Sequence, residues 1–511
     1  MKAANRVAKN TGILYVRMAI TVFISLYSTR LVLSALGVQN FGIFNLVGGL
    51  IAMLGFLNAS MTSATQRFIS FAQGAKDYSK VTRIFNMSVL LHLCIGILVI
   101  LILECVGLFV FNGFLNISHD RIFVARLIFQ FMIVSTFFTI ISVPYEALIT
   151  SNENMLFYAF EGIVEAVLKL LIAFLILHSQ YDHLAIYGLL TSCLSIFLLF
   201  IRRLYCRYRY AECKISLKKN YDVSLIREMS SFAGWSFLGS ASSMLTFYGQ
   251  GVVINIFFGT IVNAAQGIAN QISGQLSTFA ITMQKALNPV IAKSMGANNH
   301  LLLIKAATFG SKISFILLML LVVPVFVEMP LFFNFWLKDV PPYAIIFCRL
   351  LLLKNLVEQT YVTLTAAIFA TGDIKNLQIS TSVLCSLPLL VAFIFFKYSF
   401  PPYTIYIIFI IYALLFSAMT LYFAKKKCGL SVKDYSINVL LRCFLTFICV
   451  FSVTYVTKFI LLHANPLLQL TGIIGVSICT LLIAVWFISF TSEERKKIYS
   501  YKAILLNKFH F

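Results

Sequence analysis

Apolar blocks of about 20–30 residues, each long enough to cross a bilayer as a helix, alternate with short polar turns along the whole chain. Their pattern predicts spans at roughly 11–35, 41–68, 82–111, 121–150, 157–178, 184–204, 231–258, 263–290, 307–335, 343–370, 377–396, 403–424, 439–462 and 467–490. The expectation is an all-α polytopic membrane protein of about 14 transmembrane helices. The span Phe41 to Phe68 differs from the rest. Asn45, Gly48, Ala52, Gly55, Ala59, Thr62 and Gln66 recur every three or four residues and share one helix face. An offset of 222 residues aligns Gly37 with Gly259 and steps this face onto Gly267, Asn270, Gly274, Ser277, Ile281, Gln284 and Asn288. The same offset carries Gly74 onto Gly296.

A repeated face that avoids large apolar side chains suggests the wall of a central path between two lobes. The plainer reading is that small residues let helices pack closely. The amides of Asn45, Gln66, Asn270, Gln284 and Asn288 favour the path, because in hydrocarbon they need protein partners or water. Near the end of the fourth span, Ala147-Leu148-Ile149-Thr150-Ser151-Asn152 also resembles Ile368-Phe369-Ala370-Thr371-Gly372-Asp373 near the end of the tenth. Six spans per half is an even number, so the two six-helix lobes are expected to be related by an axis along the membrane normal. The expected domains are an N-terminal lobe over 1–204, a basic cytoplasmic linker over 205–230, a C-terminal lobe over 231–424, and 425–511 holding two extra spans and a cytoplasmic tail.

Composition agrees with this class: 60% of residues are hydrophobic, 11% are charged and the mean hydropathy is +0.92. The net charge of +22 invites a nucleic-acid reading, but its distribution argues otherwise. Lys and Arg crowd alternate loops, most densely from Arg202 to Arg227 and at Lys425, Lys426 and Lys427. That asymmetry predicts cytoplasmic termini, with anionic lipids as neighbours. A reporter fused after Lys219 or Lys427 is therefore expected to read cytoplasmic, and one after Asn116 or Pro341 external. Lys2, Arg6 and Lys9 precede the first span, which is too long for a signal peptide and reads as an uncleaved helix. The eleven cysteines lie mostly inside spans without paired spacing, and His178 and His183 lack a third ligand, so no metal and no cofactor is expected.

The predicted external loops are too short for the folded catalytic loop of a membrane polymerase or ligase, and no GxxxxGK[ST] phosphate loop is present. The segment Leu36-Gly37-Val38-Gln39-Asn40-Phe41-Gly42 with its stripe, Pro144-Tyr145-Glu146-Ala147-Leu148, and Ala367-Ile368-Phe369-Ala370-Thr371-Gly372-Asp373 resemble the polysaccharide-transporter family of O-antigen flippase type. That family belongs to the multidrug/oligosaccharidyl-lipid/polysaccharide exporter superfamily. The resemblance implies a V-shaped two-lobe exporter, not an enzyme, that moves an undecaprenyl-diphosphate-linked glycan outward by alternating access.

The charges within the spans sort by position. Arg17, Arg30, Arg67 and Lys285 lie on spans 1, 2 and 8, which line the cavity in the resembled fold, and they suit a diphosphate. Arg126, Lys312, Arg349, Arg442 and Lys458 lie near span ends, where snorkelling explains them. The deepest groups are Glu161, Glu165 and Lys169 in span 5 and Lys354 and Glu358 in span 10. Their i,i+4 spacing allows self-neutralised pairs, or a carboxylate that couples transport to a proton or sodium ion. Glu146 beside Pro144 is a further coupling candidate, and Glu104 a weaker one. The leading expectation is a lipid-linked oligosaccharide flippase. Its rivals are a multidrug or cation antiporter of the same superfamily and an integral-membrane polysaccharide polymerase or ligase.

Overall fold

The computed structural model describes residues 2–52, 55–109, 111, 121–336, 340–462 and 465–496. Every regular element among them is helical. The helices are α1 (Lys2–Ala52), α2 (Gly55–Gly74), α3 (Tyr78–Phe109), α4 (Ile122–Ser151), α5 (Met155–Leu177), α6 (His183–Arg209), α7 (Leu217–Asn220) and α8 (Val223–Gly296). They continue as α9 (His300–Val327), α10 (Met329–Trp336), α11 (Ala344–Gln359), α12 (Val362–Thr371), α13 (Lys375–Lys397), α14 (Thr404–Cys428), α15 (Val432–Tyr435), α16 (Arg442–Ile460) and α17 (Pro466–Ala484).

At 1.5 Å per residue, 74 residues of unbroken helix would extend about 110 Å, against a hydrocarbon core of about 30 Å. The chain escapes that length at a glycine. Gly259 adopts φ 75°, ψ −172° inside α8, and Gly37 adopts φ 73°, ψ 165° inside α1. Both lie in the positive-φ region that glycine enters without a Cβ penalty, and they stand 222 residues apart. The expected loops between spans 1 and 2 and between spans 7 and 8 are thus reduced to corners centred on one glycine each.

Several other helices start on polar caps. The Asp182 carboxylate accepts from the Leu184 and Ala185 amides, and Asn154 accepts from Phe157. Each of these two caps is worth about 1 kcal/mol. Asp222 caps the start of α8 through the Leu225 amide. Bonds from the Ser224 hydroxyl and that amide hold the Asp222 carboxyl below its usual range. Gly372 and Gly429 end α12 and α14 in left-handed conformation.

Among the described residues, ten helices are long and apolar enough to cross a membrane, ending with Val432–Ile460 and Pro466–Ser489. The expected spans that fall outside these ten are the second, fifth, eighth and tenth. The reasons differ. The second runs over residues 53–54, outside the described residues, the eighth carries its polar stripe, the fifth carries Glu161, Glu165 and Lys169, and the tenth is broken at Thr360–Tyr361.

The described chain forms two compact units: residues 1–241 with 288–299, and 242–287 with 300–511. The first is built on a core of Val47, Leu103, Ala125, Ile128, Phe129 and Ala173, all within 2% of full burial. In the second, Leu318, Met319, Val322, Phe347, Leu352 and Tyr406 are fully buried. Close packing of this kind gives each unit a single side-chain arrangement.

Candidate functional site

The strongest concentration of chemistry in the first unit is an ion network across α4, α5 and α6. Arg202 Nε donates to Glu161 Oε1 at 2.5 Å, and its Nη1 donates to the Ser142 hydroxyl at 2.7 Å and to Glu146 Oε2 at 3.3 Å. The Glu161 and Arg202 side chains are 2% and 14% exposed. Two carboxylates therefore share one guanidinium. The i,i+4 spacing offers Lys169 as a partner to Glu165 only, and Glu161 turns to Arg202 instead. Glu165 and Lys169 pair with each other at 2.6 Å on an exposed face. The sequence pattern counts Arg202 among the loop cations, because such a count cannot show that the last turns of α6 carry it back onto α5.

Arg17 lies against this helix one residue further on. A Cβ on Gly162 would stand 2.1 Å from Arg17 Nε, and the guanidinium sits 4.3 Å from the centre of the Tyr158 ring. The absent side chain at Gly162 is thus the notch that admits the cation, and the aromatic face stabilises it. Arg67 is 9% exposed and its guanidinium lies 4.6, 5.3 and 5.2 Å from the rings of Phe68, Phe71 and Phe232. Arg30 is exposed on α1. Gln66 is half-buried on α2, its carbonyl accepting from the Ser151 hydroxyl. Asn288 is half-buried within 288–299. The side chains of Asn45, Ala52 and Ala59, and the whole of Asn116, lie outside the described residues. Glu104 accepts from Gln130 at 3.1 Å on an exposed face.

The second unit gathers its polar groups where α8 meets α11. Asn355 donates to the hydroxyls of Ser273 and Ser277 at 2.6 and 3.1 Å, and Gln284 donates to Gln359 at 3.4 Å. Lys354 and Glu358 pair at 2.6 Å and remain 24% and 30% exposed. The helix ends one residue after Glu358, and the Thr360 carbonyl accepts from the Tyr435 hydroxyl. A broken helix beside ionisable groups exposes backbone polar groups that an intact span hides. Lys354, Asn355, Glu358, Gln359 and Thr360 already weaken the apolar run here, although the expected span 343–370 continues through them. Lys285 is exposed and Asn270 half-buried on α8.

The stripe on α8 is used unevenly. Ser277 and Gln284 bind α11, whereas a Cβ added to Gly267 or Gly274 would meet nothing within 4 Å. Close helix packing therefore does not explain these two glycines. The charges read as snorkelling also divide. Arg126 is exposed, but Lys312, 1% exposed, donates to both oxygens of Glu494 at 3.0 and 2.8 Å. Lys458 meets Glu328 at 3.4 Å, while Arg349 and Arg442 bond backbone carbonyls. These four cations thus have partners within the second unit.

Single removal of Lys354 or Glu358 should cost about 1–3 kcal/mol, less than for a fully buried pair, since both keep about a quarter of their exposure. The Lys354→Met/Glu358→Gln double variant should recover most of that loss in thermal unfolding. Among the described residues no cluster of three His, Cys, Asp or Glu could hold a metal ion.

No family model and no curated protein matches the chain. Solved structures do. The chain is similar to the outward-facing conformation of a multidrug resistance MATE family transporter of the MOP superfamily, with 16% identity, TM-score 0.72, and 84% of this chain and 96% of that one covered. It has the fold of the MATE transporters. A MATE protein in the straight conformation aligns with TM-score 0.69 at 14% identity, and a MOP superfamily transporter from Pyrococcus furiosus with 0.71 at 15%, each covering 84% of this chain and 96% of the other. The binding pocket of that last protein is described as having reversed polarity, suggesting a different function. The MATE fold accounts for the all-helical, multi-pass architecture of the chain.

Proposed function

We propose that the protein is a flippase that carries an undecaprenyl-diphosphate-linked oligosaccharide across the cytoplasmic membrane by alternating access. The observation that carries this reading is the charge inventory of two segments. Residues 2–74 and 259–296 contain no Asp and no Glu, yet they hold Lys2, Arg6, Lys9, Arg17, Arg30, Arg67, Lys285 and Lys293. A diphosphate leaving water requires such compensation, and an organic cation would be repelled by it. Amides at Gln66, Asn270, Gln284 and Asn288, with the open positions Gly267 and Gly274, suit a hydroxyl-rich glycan, which needs hydrogen bonds and room without fixed charge. A transporter of this fold with a pocket of reversed polarity supports the idea that charge is adjusted to cargo on a common architecture. Glu146 and Glu161 around Arg202, and Glu358 beside Lys354, are the groups that would couple transport to a proton or sodium gradient.

Purified protein in liposomes, given a fluorescent undecaprenyl-diphosphate oligosaccharide and no sugar donor, should move label between leaflets. Arg17→Gln/Arg30→Gln/Lys285→Gln should slow that movement at least tenfold while the protein stays folded. No translocation by the parent protein would overturn the reading. The likeness to multidrug transporters favours a second one, a cation antiporter. Gradient-driven uptake of a cationic dye, with the glycan lipid left in place, would establish it.

A further inference from the structure

Within the first unit, the end of α2 passes the end of α8 at backbone contact. A Cβ on Gly74 would stand 2.1 Å from the Lys293 carbonyl oxygen, and one on Gly296 would stand 1.9 Å from that of Phe71. The 222-residue offset relates Gly74 to Gly296 and Phe71 to Lys293, so one contact occurs twice. Beside it three charged residues meet. Glu153 sits in the turn between α4 and α5 with φ 57°, a conformation that a non-glycine residue keeps only when its contacts hold it. Its carboxylate accepts from Lys293 Nζ at 2.9 Å and lies 3.6 Å from Arg6 Nε. The Asn10 amide donates to its carbonyl at 3.2 Å. One residue therefore ties together the start of α1, the α4–α5 turn and the end of α8.

The charges in this tie are unequal in number and in access. Two cations share one carboxylate. The Glu153 side chain is 4% exposed, whereas those of Arg6 and Lys293 are 61% and 26% exposed. A solute thus reaches the cations before the carboxylate. A phosphate group carries more charge than a carboxylate and more acceptor oxygens, and a guanidinium fork matches its geometry. The crossing itself lacks side chains at its two contact points, so this ionic tie is the part of the closure that an anion can compete for.

We infer that Arg6 and Lys293 form a docking site for phosphate or diphosphate groups, and that docking there displaces Glu153 and releases the glycine crossing. The chemistry is common to free and lipid-borne diphosphates. Only the identity of the natural ligand rests on the cargo proposed above.

Hydrogen exchange on the full chain in zwitterionic nanodiscs tests this, with inorganic pyrophosphate or undecaprenyl diphosphate as probe and sulfate at equal ionic strength as control. Either probe should raise amide exchange in 71–76 and 291–298 at least fivefold, while sulfate should not. Glu153→Gln should show the raised exchange without any probe. Arg6→Gln, which leaves the Glu153–Lys293 pair in place, should need about tenfold more pyrophosphate. A response to the lipid alone would assign the site to a lipid-borne anion, and a response to both would assign it to the shared diphosphate. No response to either, or an equal response to sulfate, would overturn the inference. A pyrophosphate response in a protein that moves no glycan lipid would leave the latch standing and remove the cargo reading.

Discussion

Arg202→Met should lower the stability of the folded protein by about 3–5 kcal/mol, because it leaves the Glu161 and Glu146 carboxylates uncompensated. Glu146→Gln should be mild by contrast, since it leaves one guanidinium facing one carboxylate. Glu161→Gln added to Arg202→Met should restore much of the loss, as it removes the more buried negative charge. Thermal unfolding of the four proteins in one detergent measures this order. An Arg202→Met midpoint equal to that of the parent would show that the network holds nothing together. If the network also couples transport to protons, Glu146→Gln should flatten the pH dependence of transport while leaving the unfolding midpoint near the parent value.

Gly74→Ala and Gly296→Ala are expected to be the most damaging single-methyl additions in the described chain. Each methyl would meet a backbone carbonyl near 2 Å, which no rotamer change relieves. Such overpacking costs about 1–3 kcal/mol or forces the two backbones apart. Gly267→Ala and Gly274→Ala meet nothing and gain helix propensity of about 1 kcal/mol, so they should be neutral or stabilising. Transport separates the two groups further. The first pair should lose it through failure to close the crossing, whereas the second should lose it only for bulky glycans. Unfolding midpoints and liposome transport on the four alanine variants check both halves. Equal midpoints for all four would contradict the contact geometry.

The fold was legible because it is written in hydrophobic length and in repetition. Apolar blocks set the helices, and the 222-residue offset links Gly37 and Gly259, whose backbone angles show why glycine stands at both. The sites were less legible, for a physical reason. A helix wheel shows which residues share a face but not which helix that face meets. Glu161 stands out as a deep charge, yet its partner Arg202, 41 residues away, hides among loop cations. Asn355 and Gln359 read as ordinary polar residues until the α8 stripe meets them. Glu153 carries no signal at all, because a lone acid in a turn is ordinarily solvated.

The pair between Lys312 and Glu494 gives the second unit an order of assembly. The two residues are 182 positions apart, and Lys312 is fully enclosed. Glu494 is oriented by its own helix start, where its carboxylate accepts from the Thr491 amide and the Thr491 hydroxyl lies 3.3 Å from the Glu494 amide. At about 5–20 residues per second, a ribosome takes roughly ten to forty seconds to reach Glu494 after it has made Lys312. During that interval α9 holds a lysine without its carboxylate, in a setting that penalises a bare ammonium. The interior of the second unit is therefore expected to close only once Glu494 is in place. A chain ending before Glu494 is expected to unfold at a lower temperature than the full chain, which thermal unfolding of the two in one detergent measures.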